Sequence, residues 1–111
     1  MKKEEQLQVN AICNNEREKA LSELEEEAAS INGVNVKRLR SCSAMVYTTT
    51  NYYILRSYNT IIAVINKNTD ALYDFLRIVY GYTATSSQHI NKFAHDYCSG
   101  KWYCSKVYTA R

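Results

Sequence analysis

The chain has 111 residues, with 14 lysines and arginines against 11 aspartates and glutamates, and a formal net charge of +3 at pH 7. This length predicts one domain, and the lack of proline excludes a rigid proline-rich linker. The charged start Met1–Glu5 is unlike a signal peptide, and the longest apolar run, Ile61–Ile65, is too short to cross a membrane. We therefore expect a cytoplasmic protein with no membrane partner and with reduced cysteines.

Charge and aromatic residues divide the chain into two parts. Residues 1–30 hold four lysines and arginines against eight glutamates, whereas residues 31–111 hold ten against three aspartates. All aromatic residues lie after residue 46. We expect an acidic helical arm over residues 1–33 and a basic, tyrosine-rich α+β domain over residues 34–111, together forming one folded unit. Aromatic and basic side chains suit a contact surface, so the composition favours a binding protein over an enzyme.

The arm is predicted to be helical over residues 3–31. Its apolar stripe repeats at three- and four-residue spacing, at Leu21, Leu24, Ala28 and Ile31. Asn15 followed by Glu18 resembles a capping box, so two helices over about 3–13 and 16–31 are the alternative. We expect the stripe to be buried against the domain or against a second copy, and a homodimer is slightly favoured because a small domain gains most from extra burial.

The rest of the chain predicts short strands and one helix. The strands fall at Val34–Leu39, Met45–Thr49, Tyr52–Tyr58, Ile61–Asn66, Ala71–Phe75, Arg77–Tyr82 and Trp102–Thr109. A helix over about 86–98 would be capped by a residue within Thr85–Ser87 and would bury Ile90 and Phe93 beneath Ile62 and Val64. The predicted fold is α+β: a small antiparallel sheet packed by one helix, with the helical arm in front.

Two segments carry a resemblance to a known family. Ser57–Ala63 reads SYNTIIA, and after Tyr80–Tyr82 the segment Thr85–Phe93 reads TSSQHINKF. Over about residues 50–95 the chain resembles a family of small proteins from phages, plasmids and integrated elements of low-GC Gram-positive bacteria. The resemblance implies a mobile-element protein, and proteins from that context are often regulators of element genes or inhibitors of host defence, including anti-CRISPR proteins.

Metal binding and catalysis find little support in the sequence. The candidate ligands for zinc are His89, His95, Cys98 and Cys104, but their spacing matches no usual zinc motif. A cysteine–histidine hydrolase would need Cys42 or Cys104 beside His89, and this pairing stays open at this point. A hydrogen-bonded, partly buried His89 is the plainer interpretation. We expect no metal, no cofactor and no enzymatic activity.

Candidate contacts come from the basic and tyrosine-rich part of the chain. The residues predicted to bind a partner protein are Tyr52, Arg56, Tyr58, Arg77, Tyr80, Tyr82 and Lys92. The basic cluster Lys37, Arg38 and Arg40 is predicted to contact nucleic acid. Glu23–Glu27 of the arm could instead lie over Arg38–Arg40, or could face a basic nucleic-acid-binding protein.

Two functional hypotheses follow from these residues and from the resemblance. The first is a non-enzymatic mobile-element protein that binds and inhibits a host nucleic-acid-targeting defence effector, such as a guide-RNA nuclease, in the manner of an anti-CRISPR protein. The second is a nucleic-acid-binding regulator that dimerises through its N-terminal helix.

Overall fold

The computed structural model describes residues 3–31, 33–40, 43–76 and 84–104. In chain order the elements are α1 (Lys3–Ala28), β1 (Asn35–Arg38), β2 (Ala44–Thr48), β3 (Tyr52–Ser57), β4 (Thr60–Asn66), β5 (Ala71–Asp74), α2 (Ala84–Tyr97) and β6 (Trp102–Cys104). The fold class is α+β, as predicted. Among the described residues, no helix is long and apolar enough to cross a membrane.

The six strands form one sheet in which neighbours in sequence are neighbours in space, from β1 to β6. The first five strands are antiparallel, but β6 is parallel to β5, which corrects the prediction of a purely antiparallel sheet. The chain reaches β6 after running back along α2, and such a crossover places the next strand parallel. Gly100 allows this return, because a Cβ there would collide with the carbonyl oxygen of Asp70.

The sheet is covered by a helix on each face: α2 is the predicted packing helix, and α1 is the predicted arm, for which burial against the domain was one of the two alternatives. On one face, Ile90 and Phe93 of α2 pack in an apolar cluster with Leu55 and Ile62 of the sheet. On the other face, α1 packs in a cluster that includes Val64. Val64 therefore lies on the opposite face from Phe93, contrary to prediction. The register shift between Leu55 and Arg56 leaves Ile62 without a partner in β3, and such a bulge breaks the alternation that would otherwise put Ile62 and Val64 on one face.

The arm is one continuous helix of 26 residues and is not divided at Asn15. Its buried positions are Gln6, Cys13, Glu16 and Ala20. Of the predicted stripe, Leu21 and Leu24 are half-buried, Ala28 is exposed and Ile31 is fully exposed. Packing on the sheet explains both observations. It keeps α1 helical across Asn15, where the sequence has only a weak capping signal, and it buries small and polar residues of the helix instead of the leucines.

Most predicted strands match the structure to within a residue or two. The helix α2 starts at Ala84, two residues before its predicted position, so Thr85–Ser87 lie inside the helix and do not cap it as predicted. The predicted strand Arg77–Tyr82 and residues 105–109 of the predicted last strand lie outside the described residues. The helix α1 lies over β4, β5 and β6, while α2 lies over β3 and β4. The α1 face of β1, β2 and β3 is therefore less covered than the rest of the sheet.

Candidate interaction surface

The acidic residues of α1 hold a turn of its own sheet. Glu23 and Glu27 lie on the same side of the helix, one turn apart. An oxygen of Glu23 accepts the backbone N–H of Asn51 at 2.6 Å, and the Glu27 carboxylate accepts that of Thr50 at 3.1 Å. Burial acts to raise the pKa of Glu23, but the hydrogen bonds from Asn51 prevail and lower it. These two carboxylates thus bind the β2–β3 turn. The sequence had suggested that they could lie over Arg38–Arg40, and they do not.

Tyr52 is an internal residue and is not available as the predicted partner contact. Its side chain is 5% exposed, and its hydroxyl donates a hydrogen bond to Glu16 at 2.5 Å. The other oxygen of Glu16 accepts a hydrogen bond from Asn66 at 3.2 Å. Burial, followed by the nearby Glu16 carboxylate, raises the pKa of Tyr52. The pair joins α1 to β3 in the interior.

The basic cluster 37–40 is divided by the structure. Arg40 makes a two-pronged ion pair with Asp96 of α2, with nitrogen–oxygen distances of 2.7 and 2.9 Å. Hydrogen bonds from Arg40, and then from His95, hold the pKa of Asp96 well below its usual range. Arg40 is therefore engaged with its own protein, and it is a weaker candidate for the predicted contact with nucleic acid.

Lys37 and Arg38 are exposed on β1, the outermost strand of the sheet, and we call this pair the basic edge. Within the part of the chain that the structure describes, neither side chain makes a hydrogen bond or an ion pair. Successive residues of a strand point to opposite faces. Arg38 is in register with Met45 and so shares the α1 face, while Lys37 is in register with Val46 on the α2 face. The basic edge therefore presents positive charge to both sides of an open strand.

Tyr58 is exposed in the β3–β4 turn, as a contact residue should be. Its relative exposure is 48%, and its backbone is left-handed at a φ of 54°. Its ring lies 5.7 Å from the ring of His89, which is 3% exposed. His89 is hydrogen-bonded through Nδ1 to Ser57 at 2.8 Å, and burial, then Lys92, lowers its pKa. His89 is therefore a buried residue that ties α2 to β3, and Lys92 is half-buried nearby on α2.

Arg56 lies in a cleft between α1 and the sheet. Its guanidinium sits 5.6 Å from the centre of the Tyr47 ring. Arg17 of α1 lines the same cleft and was not a predicted site residue. Gln6, Cys13 and Ala20 are spaced seven residues apart and form the buried side of α1. Recognising that spacing could have placed Arg17 beside the buried side of the helix.

The thiols in the described part of the chain have separate hydrogen-bond partners. Cys13 donates to the carbonyl oxygen of Tyr103 at 3.6 Å, and burial raises the pKa of its thiol to about 12. Cys98 donates to the carbonyl oxygen of Asp70 at 3.5 Å, and Cys104 to the carboxylate of Asp74 at 3.5 Å. Cys13, Cys98 and Cys104 are free thiols, and no cluster of possible metal ligands occurs among the described residues. Cys42 lies outside those residues.

Three predicted contacts, Arg77, Tyr80 and Tyr82, lie outside the described residues. The others do not form one patch. The basic edge lies on an outer strand, Arg56 lies in the cleft on the α1 face, and Tyr58 and Lys92 lie by α2. The surface that best combines exposure with uncompensated charge is the basic edge.

Comparison with known proteins gives one family. The model of a family of unknown function (DUF8033) matches residues 11–109, which include the segment 50–95 of the resemblance. No curated protein and no solved structure matches the chain.

Proposed function

We propose a function for this chain, which belongs to DUF8033, a family of unknown function. The protein is a non-enzymatic mobile-element protein that binds and inhibits a host nucleic-acid-targeting defence effector. The resemblance over residues 50–95 supports the mobile-element context. The basic edge supports binding as the mode of action, in the manner of an anti-CRISPR protein.

The observation that carries the proposal is the placement of charge. The aspartates of the described sheet and its connections are engaged internally: Asp70 with Ser99, Asp74 with the backbone N–H of Leu76, and Asp96 with Arg40. The basic edge has no such partner among the described residues. Uncompensated positive charge therefore collects at an outer strand, where it attracts an acidic partner surface.

An outer strand also offers unpaired backbone groups. Among the strands of the described ranges, β1 pairs with β2 alone, and all four of its residues are exposed. An extended segment of a partner can add to such an edge, with backbone hydrogen bonds giving affinity and side chains giving specificity. We therefore propose that an acidic, extended segment of the effector pairs with β1, and that Lys37 and Arg38 select it by charge.

Co-purification with a panel of guide-RNA nucleases, followed by a cleavage assay, tests the proposal. The parent protein should bind and inhibit at least one effector. Lys37→Glu combined with Arg38→Glu should abolish both effects, because reversed charge repels an acidic segment. Lys19→Glu combined with Lys101→Glu is the matched control, since it changes the net charge equally at two exposed lysines, one on α1 and one next to β6. No binding or inhibition across the panel, or equal loss in the control, would refute the proposal.

A nucleic-acid-binding regulator is the second candidate, because the same basic edge suits phosphate groups. In that case duplex affinity should fall steeply with salt, with a log–log slope of about −0.9 for each neutralised phosphate. Gel shifts with duplex and single-stranded DNA at two salt concentrations test this. The absence of a shift at low salt excludes the regulator.

Dimerisation through α1 belongs to the second candidate. The inner side of α1 packs on its own sheet, so a second copy would have to use the outer side, where Leu7 and Ile12 are exposed. Light scattering should then give a dimer mass that Leu7→Asp with Ile12→Asp converts to a monomer. A monomeric parent protein removes this part of the second candidate.

A further inference from the structure

The cleft that contains Arg56 has the size of a small-molecule site. It lies between the second half of α1 and the strands β2 to β4, on the part of the sheet that α1 leaves open. Its volume is about 510 Å³, and ligand pockets commonly have about 300–1,000 Å³. The cleft is thus large enough for a compact organic molecule.

Its walls combine apolar surface with two cations. Leu21 and Leu24 line the helix side, and Tyr47 and Ile61 line the sheet side. Arg17 and Arg56 also line the cleft, and no acidic side chain is among the described residues that do so. The glutamates that α1 directs at the sheet bind Tyr52 and the β2–β3 turn instead. The positive charge of the cleft is therefore not balanced locally.

Both guanidiniums are held in place but not satisfied. Arg17 lies 5.7 Å from the centre of the Phe75 ring, and Arg56 lies 5.6 Å from that of Tyr47. The Nε atom of each arginine is buried, and in the described ranges it has no hydrogen-bond partner. Buried polar groups in folded proteins nearly always have a partner. The Nε atoms are covered by protein, so an acceptor from outside would reach these two arginines through the terminal nitrogens of their guanidiniums.

We propose that this cleft binds a small organic anion: a carboxylate or phosphate group joined to an apolar body. Guanidinium groups match the geometry of these anions, and the fixed rings beneath them keep both arginines ready for binding. The apolar body packs against Leu21, Leu24 and Ile61. This site is distinct from the basic edge, so it adds a ligand to the proposed function and does not depend on it.

A pair of fluorescent probes separates the two parts of this proposal. 8-Anilinonaphthalene-1-sulfonate carries an anionic group on an apolar ring system, and N-phenyl-1-naphthylamine has the same rings without the charge. Both should bind the folded protein, the anionic probe more tightly. Arg17→Met and Arg56→Met should each weaken the anionic probe by roughly tenfold, as expected for one charged hydrogen bond. Binding of the neutral probe should change little.

Two further variants control for charge and for shape. Lys101→Met removes one positive charge from an exposed residue next to β6, at the other edge of the sheet, and should leave both affinities unchanged. Leu24→Trp should fill the cleft and block both probes. Near-UV circular dichroism confirms that each variant is folded, since loosely packed proteins also bind the anionic probe.

Three outcomes would overturn the proposal. The first is failure of the anionic probe to bind the parent protein, which would mean that the two arginines do not bind a small anion and that a macromolecular partner is the remaining explanation. The second is equal loss in Lys101→Met, which would show general attraction by net charge. The third is unchanged affinity in a protein that carries both arginine substitutions. NMR titration adds a positional check: shifts should centre on Leu21, Leu24 and Ile61, and shifts centred elsewhere count against the cleft.

Discussion

The two faces of the sheet are held by different chemistry. On the α2 face, Phe93 and Ile90 are fully buried among aliphatic side chains of the sheet. On the α1 face, the helix adds polar contacts to its apolar cluster: Gln6 donates to the carbonyl oxygen of Cys104 at 3.2 Å, and Glu16 accepts from Tyr52. Apolar burial is non-directional and contributes most to stability, whereas each hydrogen bond contributes about 0.5–1.5 kcal/mol net but fixes position.

This difference explains why α1 is acidic and yet packs on its own sheet. Glu16, Glu23 and Glu27 share one side of the helix and bind β3 and the turn before it. They set the rotation and the position of α1 over the sheet. That position in turn forms one wall of the arginine cleft, where Leu21 and Leu24 face the strands. The polar face of the fold therefore shapes the candidate ligand site, while the apolar face stabilises it.

The largest expected effect is on the α2 face. Phe93→Ala should lower the free energy of unfolding by about 3–5 kcal/mol, because it removes a fully buried ring and leaves a cavity. Ser86→Ala should cost only about 1 kcal/mol, through loss of its buried hydrogen bond to Ser57. Lys92→Ala should cost almost nothing. Urea denaturation of the three variants measures this order, and a Phe93→Ala protein as stable as its parent would contradict it.

A smaller effect is expected on the α1 face. Tyr52→Phe should cost about 1–2 kcal/mol, because the buried Glu16 carboxylate then keeps, among the described residues, one hydrogen bond, from Asn66. Tyr58→Phe is the matched control, since it removes the hydroxyl of an exposed tyrosine. A double-mutant cycle with Glu16→Gln should show coupling between Tyr52 and Glu16. Equal stability of the two phenylalanine variants would mean that this polar contact does not hold α1.

Sequence patterns predicted the apolar half of this comparison well. Period-two strands and the segment with Ile90 and Phe93 gave the strands β1 to β5 and α2, because buried apolar residues leave a periodic signal. The parallel pairing of β6 with β5 could not be predicted from the sequence, since the direction of β6 depends on how α2 crosses the sheet. The side of α1 that is buried was also missed, because Gln6 and Glu16 on that side are polar residues that hydropathy treats as exposed.

The candidate site could be predicted only in part, because contacts between residues far apart in sequence leave no local pattern. Lys37 and Arg38 were identified from local charge, and they are exposed. Tyr52 and Arg40 have the same residue types as good contacts, but long-range partners Glu16 and Asp96 engage them. Such partners are 36 and 56 residues away in sequence, so no local pattern reveals them. Arg17 became a candidate only when the structure placed it beside Arg56.

The His89 network on the α2 face should make stability depend on pH. Burial, and then Lys92, holds the pKa of His89 below its usual value of 6.5. As pH falls, the unfolded chain therefore takes up the proton first, so stability is present above about pH 6.5 and is lost as pH falls through the lower folded pKa. His89→Gln should flatten this decline, because glutamine stays polar but does not titrate.

The control for this pH effect is His95→Gln, since the His95 side chain is 80% exposed. Thermal melts of the parent and both variants between about pH 8 and pH 5.5 compare the slopes, over the range that follows from the reference pKa of histidine. The parent and His95→Gln should decline together, and His89→Gln should decline less. Parallel curves for all three would show that His89 is not buried as a neutral ring.

The smallest expected effect is at the rim of the α1 face. Glu23 accepts hydrogen bonds from both the backbone N–H and the side chain of Asn51. Glu23→Gln keeps one acceptor oxygen for the backbone N–H of Asn51. Its amide NH₂ then faces the side-chain NH₂ of Asn51, and two donors cannot form a hydrogen bond with each other. Because Glu23 is partly exposed, the loss should be about 0.5 kcal/mol, well below that of Tyr52→Phe.

The same substitution tests the sign of the Glu23 pKa shift. Burial opposes the shift, but the hydrogen bonds from Asn51 prevail and lower the pKa below its usual value of 4.5. The contribution of Glu23 is therefore present above about pH 4.5 and is lost as pH falls through the lower folded pKa. At neutral pH, Glu23→Gln should be less stable than Glu25→Gln, an exposed control on the same helix, and the two should converge in acid. If the gap persisted at low pH, the ionised carboxylate would not be the group that holds the β2–β3 turn.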